Sequence, residues 1–217
     1  MEGQLTENRR LITRRQLVIG GGALGLAAPL AAQNVMEVLG KSTTADQLGP
    51  YYPISRPLDQ DGDLTRLAGH KGVAKGKIID VYGKVTNHLG HAVANARMDL
   101  WQANSVGRYM HPGDTSDLPL DPDFQGSAIL TTDAEGNYRL RTILPGIYPA
   151  GDSVRPRHIH WDVTTRTARM TTQMYFPGEK ENSLEKILDT DNRVATVARP
   201  LDGDVTAYRW DVIVPFG

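Results

Sequence analysis

The stretch RPRHIHWDV, residues 155 to 163, sets two histidines one residue apart behind two arginines. In an extended strand residues i and i+2 point to the same face, so His158 and His160 can reach one ion while Ile159 turns to the opposite side. Such a pair also occurs by accident on surfaces and in cores, and the spacing alone leaves metal binding and plain packing both open. The chain has no cysteine. That removes thiolate metal sites, disulfides and cysteine nucleophiles, and restricts any metal to nitrogen and oxygen ligands. In RTILPGIYPAG, Tyr148 stands between a turn at Pro145-Gly146 and a second proline, where a tyrosine can pack or can offer an oxygen. His88 and His91 in NHLGH fall in a turn-like link and read as a solvated loop. Asp99 and Asp133 each stand alone among apolar or turn residues, so a paired-carboxylate hydrolase has no support. There is no serine-centred elbow and no glycine-rich phosphate loop.

The elements that must hold these residues are strands. KGKIIDVYGKVTN, ANARMDLWQAN, GNYRLRTI, RHIHWDVTT, RMTTQMYFP and TAYRWDVIVP are β-branched or aromatic runs separated by Gly, Pro, Asn and Asp turns, and only NSLEKILDT suggests a short helix. Many short strands and one weak helix predict a mainly β chain, an antiparallel β-sandwich, over residues 75–217. Residues 33–74 hold closely spaced prolines and glycines with no sustained period and read as an arm laid over that domain. Residues 1–32 read as a signal peptide: Arg14-Arg15 precede an uncharged run from Leu17 to Ala32 that is short and rich in small residues. The arginine pair is like that of twin-arginine export signals, which predicts the export machinery as a partner and a periplasmic or exported protein. Loss of the first 32 residues would move the formal charge from -1 to -3. With 24 Lys and Arg against 25 Asp and Glu, the chain has no basic surplus to neutralise a phosphate backbone, so no nucleic-acid partner is expected.

Four ordered blocks, LWQANSVGRYMH, YRLRTILPGIYP, RPRHIHWDV and TTQMYFPGE, resemble the intradiol ring-cleavage dioxygenases, above all the catalytic subunits of the protocatechuate enzymes. The resemblance runs over roughly residues 49 to 214. It implies a β-sandwich with irregular segments covering a non-haem Fe(III) site, whose ligands would be Tyr109, Tyr148, His158 and His160. Two phenolates are hard anionic donors that favour ferric over ferrous iron, and two neutral imidazoles add no further charge. The resemblance further implies a small catecholic substrate and O2, opened to a cis,cis-muconate, with no organic cofactor. Tyr148 would be the phenolate that leaves iron and takes up a substrate proton, opposite His160. Arg155 would lie beside the bound ring and stabilise negative charge there, and Gln173 would help to position substrate and oxygen. His111 is surplus to that ligand set.

The match departs from the family pattern at PAGDSV, a shorter loop with Ala150 where the family has tryptophan, and at Arg157, which replaces a small residue. These changes are expected to alter the mouth of the pocket and its charge more than the ligands. GPYY is similar to the family's N-terminal substrate-side segment, and the spacing leaves open which of Tyr51 and Tyr52 approaches the pocket. A homo-oligomer and a hetero-oligomer of related subunits both remain open, as do protocatechuate, catechol and hydroxyquinol as substrates. The competing readings are a non-catalytic transthyretin-like binding sandwich and a zinc or copper site on His158 and His160 alone.

Overall fold

The computed structural model describes residues 42–57, 59, 61–185, 196–201 and 203–216; the expected signal at 1–32 and the start of the arm lie outside them. Among the described residues eleven strands are defined: β1 Ile78–Asn87, β2 Arg97–Trp101, β3 Ser127–Thr131, β4 Asn137–Ile143, β5 Tyr148–Ala150, β6 Ser153–Arg155, β7 His158–Thr164, β8 Arg169–Tyr175, β9 Arg199–Leu201, β10 Asp204–Arg209 and β11 Val212–Val214. One sheet is centred on β1, which pairs antiparallel with β4 along one edge and parallel with β10 and then β11 along the other. The second has the order β3-β2-β7-β8 and is antiparallel throughout. β5 and β6 form a separate two-stranded hairpin.

Period-two alternation builds the sandwich. Along β1 every second residue is buried, bringing Ile79, Val81 and Val85 inward. They meet Met98, Leu100, Ile159, Trp161, Val163 and Met174 of the second sheet in one apolar core. Trp161 lies against Trp210 with ring centroids 5.2 Å apart, a contact that bridges the two layers and adds aromatic attraction to the area buried.

The first sheet is mixed rather than wholly antiparallel. Its two parallel pairings arise because the run TAYRWDVIVP is interrupted at Trp210-Asp211: the Trp210 amide donates to the Tyr82 carbonyl, and the Asp211 carboxylate accepts the Lys84 amide at 2.9 Å. β10 and β11 thus follow one edge of β1 as two segments. The helix expected from Asn182 is instead a 3-10 turn over Lys180–Leu184, with Glu185 already extended. Residues 186–190 lie outside the described ones. The loop PAGDSV is the tip of the β5-β6 hairpin, turning at Gly151-Asp152, with Tyr148 directly opposite Arg155.

Directly paired residues share a face, and the register of the second sheet decides what faces outward. Trp101 pairs with His160, His160 with Gln173, and His158 with Tyr175. These side chains therefore gather on the face turned away from the core, where residues 42–57 cross them. Asp46 donates its amide to the Thr171 carbonyl, and Gln173 Nε2 donates to the Gln47 carbonyl.

Candidate metal centre

His158 and His160 are both buried and converge, with Nε2 to Nε2 at 3.1 Å and ring planes 80° apart. His158 Nδ1 donates to the Pro156 carbonyl at 2.7 Å. That bond fixes the tautomer and leaves the Nε2 lone pair aimed at its neighbour, as expected of a ligating imidazole. The Tyr109 hydroxyl lies 3.4 Å from the same Nε2. The Tyr148 ring stands 5.4 Å from that of Tyr109 and 5.7 Å from that of His158. All four residues are thus brought to one pocket.

The tyrosines arrive on two loops locked together through backbone. The long β2-β3 connection folds around Asn104, whose Oδ1 accepts the Val106 and Arg108 amides, and around Asp114, whose carboxylate accepts the Tyr109 and Ser116 amides. It touches the Tyr148 loop where Gly107 meets Ile147 and Gly146 meets Gly107. A Cβ on Gly146 would fall 2.3 Å from the Gly107 nitrogen, and Gly107 has φ +94°. The glycines of VGRY and PGIY are therefore demanded by this approach. Tyr109 is fully buried, whereas Tyr148 is half-buried on a three-residue strand outside both main sheets.

Trp101 is parallel to His160, with planes 2° and centroids 4.8 Å apart. The backbone of Gly49, at φ +75°, also approaches this ring: an added Cβ would lie 3.0 Å from His160 Cε1. Arg155 Nη2 donates to Gln173 Oε1 at 2.8 Å, and its Nε lies 2.5 Å from the Glu185 carboxylate. With Gln173 Nε2 held by the Gln47 carbonyl, this side chain links Arg155 to the arm.

Arg157 is turned away from any free role at the mouth. It binds the Pro145 carbonyl and pairs with Glu179 at 3.2 Å, so its charge is compensated and it braces the turn before Tyr148. Of the two arm tyrosines, Tyr51 stands by the ligand cluster, 4.7 Å from the Tyr109 ring, and Tyr52 lies edge-on to Trp101 at 5.0 Å. His111 packs beside Tyr51 at 5.7 Å. Asp99 does not stand alone: it is fully buried and accepts from Tyr52 and Arg56. Tyr175, beside Gln173 at 3.0 Å, and Trp101 also belong to this site, though neither is singled out by its motif. Their i, i+2 spacing from Gln173 and from Asp99 is the signal that places them on the same faces.

Burial controls the charge states. It drives the Tyr109 phenol well above its ordinary value, with nearby Tyr148 reinforcing the effect. Burial also raises Tyr148, opposed by the Arg155 cation across the hairpin. Desolvation, then Arg155, depress His158 to about 3, and burial with His158 and Arg155 puts His160 well below the usual range. The imidazoles are therefore neutral and ready to donate lone pairs. A highly charged hard cation is the species that would reverse the penalty on the phenolates. Two neutral nitrogens and two phenolic oxygens around one buried point fit ferric iron.

A β-sandwich carries this pocket on its outer sheet face, with no carboxylate among the converging side chains of the described residues. The dioxygenase family model matches residues 48–215, and the chain belongs to the intradiol ring-cleavage dioxygenases. It is 43% identical over 144 residues to a protocatechuate 3,4-dioxygenase beta chain of Burkholderia cepacia, covering 64% of this chain and 61% of that one. A Pseudomonas putida protocatechuate 3,4-dioxygenase alpha chain is 30% identical over 187 residues, covering 78% and 90%. The dioxygenase domain of a dioxygenase carbohydrate-binding fusion from Streptomyces sp. SirexAA-E superposes with a TM-score of 0.63 at 26% identity, over 81% of this chain and 99% of that domain. The chain spans about three fifths of the length of the Burkholderia relative.

Proposed function

We propose that this chain is a non-haem ferric intradiol dioxygenase that takes a catecholic substrate and O2 and cleaves the ring between the two hydroxylated carbons, giving a cis,cis-muconate. The observation that carries the reading is the convergence of the His158 and His160 Nε2 atoms and the Tyr109 hydroxyl beside Tyr148, in a chain whose family characteristically uses non-haem Fe(III). Tyr109, Tyr148, His158 and His160 are the protein ligands in this reading. When bound, ferric iron supplies a Lewis acid and electron acceptor for a chelating catecholate.

The chain's own residues divide the remaining work. Tyr109, buried and held by Asp114 through its amide, is the fixed phenolate. Tyr148 sits on the small hairpin, half-buried and outside both main sheets, and is the phenol assigned to move aside and hold a substrate proton on its hydroxyl. Arg155, opposite Tyr148 in register, favours the phenolate form and places a fixed cation at the ring. Gln173 orients Arg155 through its amide oxygen. The aromatic cluster of Trp101, Tyr109, Tyr51 and Tyr52 excludes water from the ligand side.

The relatives include enzymes named for protocatechuate, catechol and hydroxyquinol. Arg157 is paired to Glu179 and Arg155 to Glu185, so neither offers an uncompensated cation to a substrate carboxylate, and Arg155 already serves the ring. The full ligand set suits a catalytic chain, working as a homo-oligomer or beside a related subunit. Protein made in iron-sufficient medium is expected to hold one iron per chain and to show a visible tyrosinate charge-transfer band that shifts when catechol is added. Stoichiometric zinc or copper without iron, or a protein that stays colourless after ferric reconstitution, would count against the proposal.

A further inference from the structure

We propose that Asp99 is a positioning residue: through Arg56 and Tyr52 it clasps residues 46–57 over the outer face of the second sheet, so that this chain builds a wall of its own pocket. Asp99 lies on β2 two residues before Trp101 and is 0% exposed. Its carboxylate accepts from the Tyr52 hydroxyl at 2.8 Å and from Arg56 Nη2 at 2.6 Å. A buried carboxylate persists only where such partners replace its water, and both come from the arm. Arg97, at 3.4 Å and half exposed, contributes little by comparison. Arg56 also lies against the Tyr52 ring, 5.4 Å from its centroid, so the three side chains form one unit.

A second fastening secures the other end. The Asp46 carboxylate accepts from the Tyr175 hydroxyl at 3.1 Å, and Gln47 offers its carbonyl to Gln173. Between the two fastenings run Gly49, against His160, and Tyr51, 4.7 Å from the Tyr109 ring and 6.3 Å from that of Tyr148. Tyr51, Pro53, Ser55 and Pro57 line a cleft with Trp101 and Tyr109. Pro50, Pro53 and Pro57 restrict the backbone of this segment, so holding its two ends holds its middle. Asp99 touches none of the four candidate ligands. Its influence on the pocket passes through the arm.

That the wall faces substrate rests on the function proposed above; the clasp does not, and it is measured separately. Limited digestion with chymotrypsin, which can cut after Leu48 and Tyr51, reads release of the arm when fragments are identified by mass. Asp99→Asn, Arg56→Gln and Tyr52→Phe are expected to be cut there about tenfold faster than the parent protein, while Arg56→Lys, which keeps the cation, recovers much of the protection. In iron-loaded protein the same three changes should raise KM for catechol about tenfold with a smaller loss in kcat, the pattern of a lost binding wall. Should Asp99→Asn fail to fold, Arg56→Gln and Tyr52→Phe carry the test. Unchanged cleavage in both, or faster cleavage with KM unmoved, would overturn the proposal. Absence of turnover in the unaltered protein would speak against the proposed activity, and the cleavage rates would still decide the clasp.

Discussion

Replacing His158 with alanine is expected to leave a folded sandwich that no longer retains iron. The imidazole projects from the outer face of β7, while the core side of that strand, Ile159, Trp161 and Val163, is untouched, so the fold should survive. Loss of partners outside the ligand shell alone commonly costs 10- to 100-fold in metal affinity, so loss of a direct ligand should exceed roughly 100-fold. Ring cleavage should fall at least as far. Iron analysis after gel filtration, circular dichroism and O2 uptake read the three quantities together. His88→Ala is the control: His88 bonds the Pro215 carbonyl and packs on Phe216, and its loss should leave the iron in place. Full iron occupancy with normal turnover in His158→Ala would remove the basis for the ligand assignment.

Trp101→Ala should have the largest effect on stability among residues around the site. The indole is 1% exposed, supports His160 by stacking and receives the edge of Tyr52. Truncating a buried tryptophan costs about 3–5 kcal/mol through lost transfer energy and the cavity left behind. Because His160 would lose the surface that fixes its ring plane, iron affinity should fall as well, by about 10- to 100-fold. Thermal melting and competition with a ferric chelator measure the two effects, and Trp101→Phe should recover most of the first. A loss under about 1 kcal/mol with unchanged iron affinity would show that the stack does not organise the centre.

Much of the architecture was legible because its strands alternate or carry β-branched runs, as β1 does from Ile79 to Val85. What escaped the sequence was short or depended on distant partners. β3 is five residues beside a turn, and β5 and β6 are three residues each, too few to display a period. The parallel placement of β10 and β11 depends on Trp210 and Asp211 bonding to β1, a contact between residues more than a hundred positions apart. In the site, the His-x-His pair announces itself by spacing, whereas Tyr109 and Tyr148 are single tyrosines on loops and emerge only from ordered motifs. Asp99 looked isolated because its partners lie 43 and 47 residues away on the arm. Arg157 looked available because Glu179 and the Pro145 carbonyl are brought to it by the fold.

The most direct measurement is the regiochemistry of oxygen insertion. Purified iron-loaded protein is incubated separately with catechol, protocatechuate and hydroxyquinol under isotopically labelled O2, and products are identified by mass spectrometry and NMR. The proposed ligand set of two tyrosines and two histidines, with Arg155 assigned to the substrate ring, predicts a muconate carrying both atoms of the labelled O2 from at least one of the three. A semialdehyde, formed by cutting beside the two oxygenated carbons rather than between them, would contradict the intradiol account.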